Sequence, residues 1–269
     1  SIVFLLLISL PIRFYILEKY HSETAIKKSV SISERSTNLL ARRGKILDRN
    51  GSVLAEDIPS YEIGLDLNNF SFNPKEIKKI SYLLDIDRKT FTKRLSDKKK
   101  KYLVLKRNAT SELFSQINNQ KINGIVGDKK YTRSYPKGAA FSQLVGLVNT
   151  FNNEGIQGVE LSLDDLLTGK NGKKDYLKTR KNKTIESEVI NPAHGKDIYL
   201  TIDADLQFMA YSILENTVMH HNASSASLVV IEPESQEILA MSNYPSFNPN
   251  DRKNINLSNL ENKAATELF

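Results

Sequence analysis

The sequence predicts an α+β protein with an N-terminal membrane anchor, a small module of mixed strands and helices, and the opening elements of a second domain. Three observations predict this. An apolar stretch begins the chain, short strand and helix patterns alternate from residue 42 to 192, and a strand, a helix and a hairpin follow from 198 to 242. We divide the chain into an anchor (1–20), a stalk (21–41), the module (42–192) and the start of the second domain (193–269).

Composition excludes several classes of protein. The 269 residues include no Cys, so a disulfide framework and thiolate metal sites are excluded, and the four His are too scattered to predict zinc. A mean hydropathy of −0.38 excludes a polytopic membrane protein. The net charge of +7 fits nucleic acid, an anionic membrane or solubility alone. The run Lys98–Lys101 has no interleaved aromatic residues and no nucleic-acid motif occurs, so we expect solvated faces, no nucleic acid and no cofactor.

The N-terminal stretch is typical of part of a membrane span. Ile2–Ile12 is apolar apart from Ser9 and Pro11, and Phe14–Leu17 continues it after Arg13. A complete span needs about 20 apolar residues. A cleaved signal peptide is the alternative, although no small-residue cleavage site precedes residue 21. Either interpretation sends the rest of the chain across a membrane.

The module begins with a hairpin signal and continues through alternating elements. Asn50-Gly51 predicts the hairpin, because both residues tolerate positive φ. The later elements follow from periodicity and capping residues. They are a strand at 61–67, helices begun by Asn73-Pro74, around Phe91 and after Thr110, a strand at 102–105, helices at 139–144 and 155–169, and a hairpin or strap at 176–190 with its tip at 181–183. In the 155–169 helix we expect Val159, Leu163, Leu166 and Leu167 to face inward.

The second domain opens with a strand at 198–202. Asp203 is placed to cap a helix whose buried face is predicted to carry Leu206, Met209, Ile213 and Val218. The runs 225–231 and 237–242 then form an antiparallel hairpin around Glu232-Pro233. A sheet of two or three strands is too small to close a core, so we expect this to be the front of a larger domain.

Four ordered motifs run along most of the chain. Arg43, Arg133 and Glu160 within them would individually be expected on the surface, although ion pairing that locks the module to the next domain is also compatible with their spacing. The motifs comprise Arg43, Gly44, Asp48, Arg49 and Gly51, then Arg133, Tyr135, Pro136 and Gly138, then Gly155, Gly158, Glu160, Asp164 and Gly169, and finally Thr201, Asp203 and Gln207.

Together these motifs resemble those of class B penicillin-binding proteins, bitopic enzymes that cross-link peptidoglycan peptides. The resemblance implies a dimerisation-type pedestal followed by a serine β-lactamase-like transpeptidase domain. It also implies a single-pass protein of the bacterial cytoplasmic membrane with most of the chain in the periplasm. Its expected partners are the lipid bilayer, cell-division membrane proteins including a polytopic glycosyltransferase, and, for the parent enzyme, stem peptides and β-lactams.

Two details favour the division type over the elongation type of this family. The link from Val148 to Gly155 is short, and the closing residues 264–269 resemble the division type's approach to its active site. An elongation-type enzyme and a non-enzymatic scaffold of the division machinery are the alternatives.

The chain carries no catalytic residue that the resemblance would require. Acyl transfer in this family needs a Ser nucleophile with Lys one turn later, a Ser-x-Asn element and a Lys-Thr-Gly strand. Ser96–Lys99 and Ser134–Lys137 have the Ser-x-x-Lys residue pattern, but we interpret both as chance matches. Ser-x-Asn occurs three times, and the sequence contains no Lys-Thr-Gly. The resemblance places the acylated Ser beyond Phe269, so we expect these residues to be inactive alone.

Overall fold

A computed structural model describes residues 33–96, 100–178 and 184–266. The predicted anchor at 1–20, the stalk before Ser33 and the tip at 181–183 lie outside these ranges. No helix within the described ranges has the length and apolar character that crossing a membrane requires.

Twelve strands and eight α-helices are described in these ranges. The strands are β1 (Ser33–Leu39), β2 (Ile46–Leu47), β3 (Val53–Asp66), β4 (Tyr102–Ala109), β5 (Ile125–Ser134), β6 (Leu147–Val148), β7 (Gly155–Gln157), β8 (Gly172–Lys178), β9 (Thr184–Ile190), β10 (Ile198–Tyr199), β11 (Ala226–Ile231) and β12 (Ile238–Tyr244). The helices are α1 (Pro74–Leu84), α2 (Arg88–Leu95), α3 (Ser111–Asn118), α4 (Ser142–Val145), α5 (Gly158–Ser162), α6 (Asp164–Leu167), α7 (Ala204–His221) and α8 (Lys263–Thr266), with 3₁₀ turns at Gly138–Phe141 and Leu257–Asn259.

The first compact unit combines residues 1–41 with 170–193. Its described part is an antiparallel sheet in the order β1-β8-β9. The bridge between Lys170 and Ala193 lies at the base of the β8–β9 hairpin. The hairpin predicted for 176–190 is therefore confirmed, and residues 33–39 form a strand.

The second compact unit combines residues 42–169 with 194–269. Its main sheet has the order β10-β2-β3-β4, with β5 paired to β3. Strand β3 is 14 residues long and contacts β2 and β4 along one edge and β5 along the other. All of these pairings are antiparallel except that of β10 with β2.

Capped helices enclose the first core of this unit. The side chains of Asn73, Asp87 and Thr110 accept backbone N–H groups at the starts of α1, α2 and α3, which confirms the helix starts predicted at Asn73 and Thr110. The helices pack against β3 and β4 and bury apolar side chains from residue 63 to 122. Those that are fully buried and largest are Ile63, Leu65, Ile80, Leu84, Phe91 and Ile117.

A second core draws on residues that are distant in sequence. Ile46 and Leu54 of the β2–β3 hairpin pack with Phe141, Leu167 and Ile202. The core thus holds the strands of the module and the segment leading to α7 together within one unit.

The region 155–169 differs from the single predicted helix. It forms β7 and then α5 and α6, with Leu163 between them at φ −117°. Leu167 is buried as predicted, whereas Leu166 is 44% exposed because the break turns α6 away from the axis of α5. The predicted helix at 139–144 is a 3₁₀ turn followed by α4.

Helix α7 begins after its predicted cap, but of the four residues predicted to be buried only Val218 is. Asp203 accepts the N–H groups of Asp205 and Leu206. The buried residues are Ala204, Gln207, Ala210, Leu214 and Val218, whereas Leu206, Met209 and Ile213 are 37%, 58% and 51% exposed. Two small Ala side chains allow close packing, and Gln207 is buried because its polar atoms are satisfied. The preceding strand is shorter than predicted, and the β11–β12 hairpin is confirmed.

A buried charge network as the candidate functional site

Arg43 lies at the centre of a buried network of charged side chains. Its Nε donates to Glu160 Oε2 at 2.6 Å, and its Nη1 donates to Asp164 Oδ1 and Thr168 Oγ1, both at 2.6 Å. Its Nη2 donates to the Glu160 carbonyl at 2.8 Å. The guanidinium therefore holds the start of β2 against α5 and α6 through charge-assisted hydrogen bonds.

Arg133 joins the same network from β5. Its Nε donates to Glu160 Oε1 at 2.7 Å and its Nη1 to Asp57 Oδ1 at 3.2 Å. Asp57 Oδ2 accepts the backbone N–H of Arg43 at 2.8 Å. One oxygen of each carboxylate thus bonds to Arg43 and the other to Arg133, which closes a ring of four residues through the Arg43 backbone N–H.

The four side chains of this ring are almost inaccessible to water. Glu160 is 0% exposed, Arg133 1%, and Arg43 and Asp57 2% each. Among described residues, Arg133 Nη2 has no hydrogen-bond partner. Desolvation offsets most of the attraction in such a ring, so its main effect is to impose one geometry and to make loss of any member costly.

Asp164 lies at the more exposed side of the network. Partial burial would raise its pKa, but the hydrogen bonds from the Gly155 N–H and from Arg43 outweigh that effect and leave the pKa below its usual range. The carboxylate therefore stays ionised and ties the first residue of β7 to α6 through the 2.8 Å bond from Gly155.

Asp48 connects the β2–β3 hairpin to the start of α7. Its Oδ1 accepts the N–H groups of Asn50 at 2.9 Å and Ser52 at 2.6 Å, and its Oδ2 accepts that of Ala204 at 3.2 Å. The predicted hairpin is confirmed, but only Gly51 has a positive φ, of +86°. A five-residue connection ordered by Asp48 replaces the two-residue turn typical of Asn-Gly.

Arg49 and Asp203 contribute weaker contacts to the same corner. Arg49 Nη2 pairs with Glu237 Oε2 at 3.1 Å, and Asn50 Nδ2 donates to Asp203 Oδ2 at 3.2 Å. The backbone hydrogen bond from Leu206 is the largest cause of the lowered pKa of Asp203. Both pairs are exposed, and such pairs stabilise by about 1 kcal/mol or less.

Gln207 bridges three backbone groups from two different segments. Its Nε2 donates to the carbonyls of Ala140 and Met241, each at 2.8 Å, and its Oε1 accepts the Met241 N–H at 2.8 Å. Thr201 adds a bond from Oγ1 to the Ile238 carbonyl at 2.7 Å. The fourth motif therefore connects α7 with β12 and with the 3₁₀ turn at 138–141.

The second motif lies where β5 ends. Tyr135 is buried, which raises its pKa, and its hydroxyl accepts the Val148 N–H at 3.2 Å. Pro136 is exposed, and Gly138 has φ +62° where the chain turns into the 3₁₀ turn. These residues shape the chain reversal and do not join the charge network.

Two motif glycines allow close approach of backbone segments. A Cβ on Gly44 would lie 1.9 Å from the Lys196 carbonyl oxygen, and one on Gly155 would lie 2.0 Å from that of Glu160. Gly44 N–H also donates to the Leu167 carbonyl at 2.9 Å. Gly158 has φ +62° at the start of α5, and Gly169 follows α6.

Further polar contacts join the 3₁₀ turn and α4 to the loop after β12. Ser142 Oγ and Ser246 Oγ are 2.7 Å apart, and Gln143 Nε2 donates to the carbonyls of Pro245 at 3.1 Å and Asn259 at 2.8 Å. Ion pairing among Arg43, Arg133 and Glu160 stays within residues 43–168. Contacts of Asp48, Gln207 and Gln143 are among those that join the module to residues 194–266, together with the pairing of β2 with β10.

Several residues of the site are not recognisable from the sequence. Asp57 lies directly opposite Arg133 in the β3–β5 register, and no motif includes it. Asn250, whose amide bonds to Tyr135, is equally unmarked. Thr168 could have been found, because it follows Asp164 by four residues on a predicted helix.

The described side chains assemble a structural site. The two Ser residues of the 142–246 pair bond to each other and to the Ala139 carbonyl, and no Lys lies one helical turn after either. Nucleophilic catalysis needs a base beside the hydroxyl. The two Ser hydroxyls instead form structural hydrogen bonds that join α4 to the loop after β12.

Comparison with known proteins identifies the family to which the chain belongs. The family model for the penicillin-binding protein dimerisation domain matches residues 38–200. The chain therefore belongs to the penicillin-binding protein dimerisation-domain family.

Individual relatives agree with that assignment. The chain is 34% identical to the peptidoglycan D,D-transpeptidase FtsI of Buchnera aphidicola subsp. Schizaphis graminum, over 100% of this chain and 48% of that protein. It is 31% identical to the FtsI of Escherichia coli K12, over 90% of this chain and 42% of that protein. The crystal structure of penicillin-binding protein 2X from Streptococcus thermophilus matches with a TM-score of 0.57 and 26% identity, over 87% of this chain and 38% of that one. The chain thus spans less than half the length of these relatives.

Proposed function

We propose that this chain is the membrane-proximal part of a division-type peptidoglycan D,D-transpeptidase. In this proposal residues 1–20 anchor the protein in the bacterial cytoplasmic membrane, residues 42–192 form a non-catalytic pedestal in the periplasm, and residues 193–269 begin the transpeptidase domain. The observation that carries the proposal is the burial of Arg43, Arg133 and Glu160, from three of the four motifs, in one network.

The network supports a role in fixing geometry. Buried ion pairs contribute little net stability but select one arrangement of the elements that supply them. Here those elements are β2, β3, β5 and α5–α6, and the Gln207 and Asp48 bonds continue the connection into α7 and β12. A rigid connection of this kind would hold a catalytic domain at a set position above the membrane.

The substrates and partners follow from the same proposal. The complete protein would form an acyl-enzyme with stem peptides and with β-lactams, through a Ser outside these 269 residues. The pedestal would contact cell-division membrane proteins, including a polytopic glycosyltransferase. The relatives named peptidoglycan D,D-transpeptidase support the peptidoglycan part of this proposal.

Fluorescent penicillin labelling tests the proposal. The full gene product and the 269-residue chain would each be incubated with the label, with and without an excess of unlabelled ampicillin. We expect covalent labelling of the full product that ampicillin prevents, and none of the shorter chain. Labelling of the 269-residue chain, or a folded full product that takes no label, would contradict the proposal.

A further inference from the structure

Strand β5 has a long edge that faces away from β3. Its ten residues pair with β3 from Ile125 opposite Leu65 to Ser134 opposite Glu56. In the described part of the chain, β3 is the only strand that pairs with it. Unpaired strand edges are templates for the addition of another strand.

Two sets of hydrogen bonds identify which backbone groups point outward. Asp66 N–H donates to the Gly124 carbonyl at 2.7 Å, so an even-numbered residue faces β3 just before β5 begins. Just after β5, the N–H of Tyr135 donates to Asn250 Oδ1 at 3.1 Å, and its carbonyl accepts from Asn250 Nδ2 at 2.9 Å. Because these directions alternate along a strand, odd-numbered residues of β5 direct both backbone groups away from β3.

The position of a proline agrees with this assignment. Pro59 lies opposite Tyr131. Proline has no N–H to donate. Odd-numbered residues of β3 and β5 that lie opposite each other form no hydrogen bond between these two strands, so Pro59 leaves no bond unmade. Of the five odd-numbered residues of β5, Ile125 already donates its N–H to the Ile122 carbonyl at 3.4 Å, and Arg133 is only 6% exposed. The outward backbone groups open to a partner therefore belong to Gly127, Lys129 and Tyr131.

Asn250 already occupies the first position along this outer edge. Its side-chain amide makes with Tyr135 the two bonds that a residue of a neighbouring strand would make. The open part of the edge therefore starts next to the Asn250 side chain and runs toward Gly127. A strand added there would have its register set by Asn250.

A groove of about 480 Å³ lies beside this end of β5. Its lining includes residues 130–134 of β5, Phe151 and Asn250, together with Ile58 and Glu62 of β3 and Arg107 and Asn108 of β4. The groove therefore extends from β5 across the sheet rather than along the outer edge. A strand added at that edge would lie at the border of the groove, where side chains on one of its faces could enter.

The charge of the lining favours an acidic occupant. The described lining contains four cationic side chains, Arg107, Lys130, Arg133 and Arg252, and one carboxylate, Glu62. Glu62 pairs with Arg107 at 3.0 Å, and Arg133 is neutralised inside the network. Lys130 and Arg252 thus leave the groove with an excess of positive charge. The neighbouring Asp128 and Lys129 of β5 carry opposite charges and leave that excess unchanged.

A second copy of the chain is less suited to this edge than an acidic segment. Antiparallel pairing of two β5 edges centred on Lys129 would place the two Lys129 side chains opposite one another, although each Lys130 would lie opposite Asp128. Like charges placed opposite one another destabilise strand pairs, and an acidic segment has no such repulsion.

We propose that the outer edge of β5 binds an extended acidic segment of a partner protein by strand addition. Backbone bonds to residues 127–131 supply the affinity, and Lys130 and Arg252 select glutamate or aspartate side chains. This binding site goes beyond the proposed transpeptidase role and does not depend on it.

Synthetic peptides test the proposal directly. Fluorescence anisotropy would compare three acetylated decapeptides binding to the 269-residue chain: alternating Glu and Val, alternating Lys and Val, and the Glu-Val peptide with every second amide N-methylated. We expect the Lys-Val and the N-methylated peptides to bind about tenfold more weakly or worse, because one lacks the charge and the other the ladder donors. Equal binding of the Glu-Val and N-methylated peptides would overturn the proposal.

Protein variants separate the edge from general electrostatic attraction. Lys130→Glu with Arg252→Glu should weaken binding of the Glu-Val peptide about tenfold, whereas the matched reversal Lys89→Glu with Lys93→Glu on exposed α2 should have a far smaller effect. Lys129→Pro removes an outward N–H that β3 does not use, and should abolish binding while thermal unfolding stays cooperative. If that variant does not fold, the N-methylated peptide decides. Equal losses for both charge reversals, or self-association that Lys129→Pro abolishes, would also overturn the proposal.

Discussion

Arg43 Nε lies 2.6 Å from Glu160 Oε2, and the two side chains are 2% and 0% exposed. They are 117 residues apart in the sequence. Glu160 uses its other oxygen for Arg133, so one carboxylate neutralises part of two guanidinium charges.

Removing the Glu160 charge should strongly destabilise the fold. Glu160→Gln keeps the shape of the side chain but leaves Arg43 and Arg133 with insufficient negative charge in a buried site, which typically costs about 3–5 kcal/mol. Chemical denaturation of the 269-residue chain would measure it. Glu62→Gln is the matched control, because it breaks the exposed pair with Arg107 and should cost about 1 kcal/mol or less. Similar losses for the two variants would show that the burial of Glu160 is energetically irrelevant.

Asp164 should make stability depend on acidic pH. Its folded-state pKa is lowered, so the stabilisation is present above the unfolded-state pKa and is lost as pH falls through the folded-state value. Asp164→Asn should therefore be less stable than the wild type at pH 7, and the difference should shrink below about pH 4. Thermal unfolding of both proteins from pH 3 to 7 would measure this difference. A difference that stays constant over that range would contradict the assignment.

Gln207 should be intolerant of a negative charge. Gln207→Glu places a carboxylate beside the Ala140 and Met241 carbonyls and removes both donated hydrogen bonds. A buried unpaired polar group costs about 1–3 kcal/mol, and more when charged. Hydrogen exchange at the Met241 amide should also accelerate. Gln116→Glu, on the exposed face of α3, is the control and should leave exchange at Met241 unchanged.

Two glycine variants should separate crowding from backbone strain. Gly44→Ala would place a Cβ 1.9 Å from the rigid Lys196 carbonyl oxygen, so the segments 42–44 and 194–196 must separate. Gly51→Ala has φ +86° but nothing within 4 Å, and should cost about 1 kcal/mol. We expect denaturation midpoints to fall much further for Gly44→Ala. If the denaturation midpoint fell further for Gly51→Ala, backbone conformation rather than close approach would limit substitution at these glycines.

Local structure followed largely from the sequence because its causes are local. Asn73, Thr110 and Asp203 cap helices through bonds to backbone groups two or three residues away, and such signals need no tertiary information. The buried face of α7 could not be predicted in the same way. Met209 and Ile213 are apolar but exposed, whereas Gln207 is buried because two distant segments supply its partners.

The charge network required knowledge that the sequence does not contain. Arg43, Arg133 and Glu160 were identifiable as motif residues, but their pairing depends on long-range contacts. Asp57 completes the ring only because the β3–β5 register places it opposite Arg133. A shift of one residue would turn that carboxylate to the other face of the sheet.

The two cores of the second unit differ in how much of the chain they need. The first draws its buried residues from one continuous stretch between Ile63 and Ile122, whereas the second spans Ile46 to Ala204. Closing a longer loop has a greater entropic cost, and contacts distant in sequence slow folding. A chain that emerges N-terminus first can therefore complete the first core early, while Arg43 must wait for Glu160 and Asp164 to be synthesised. During that interval Ile46 and Leu54 of the β2–β3 hairpin lack their later partners and stay exposed. A chaperone that covers these side chains would protect the hairpin from misfolding.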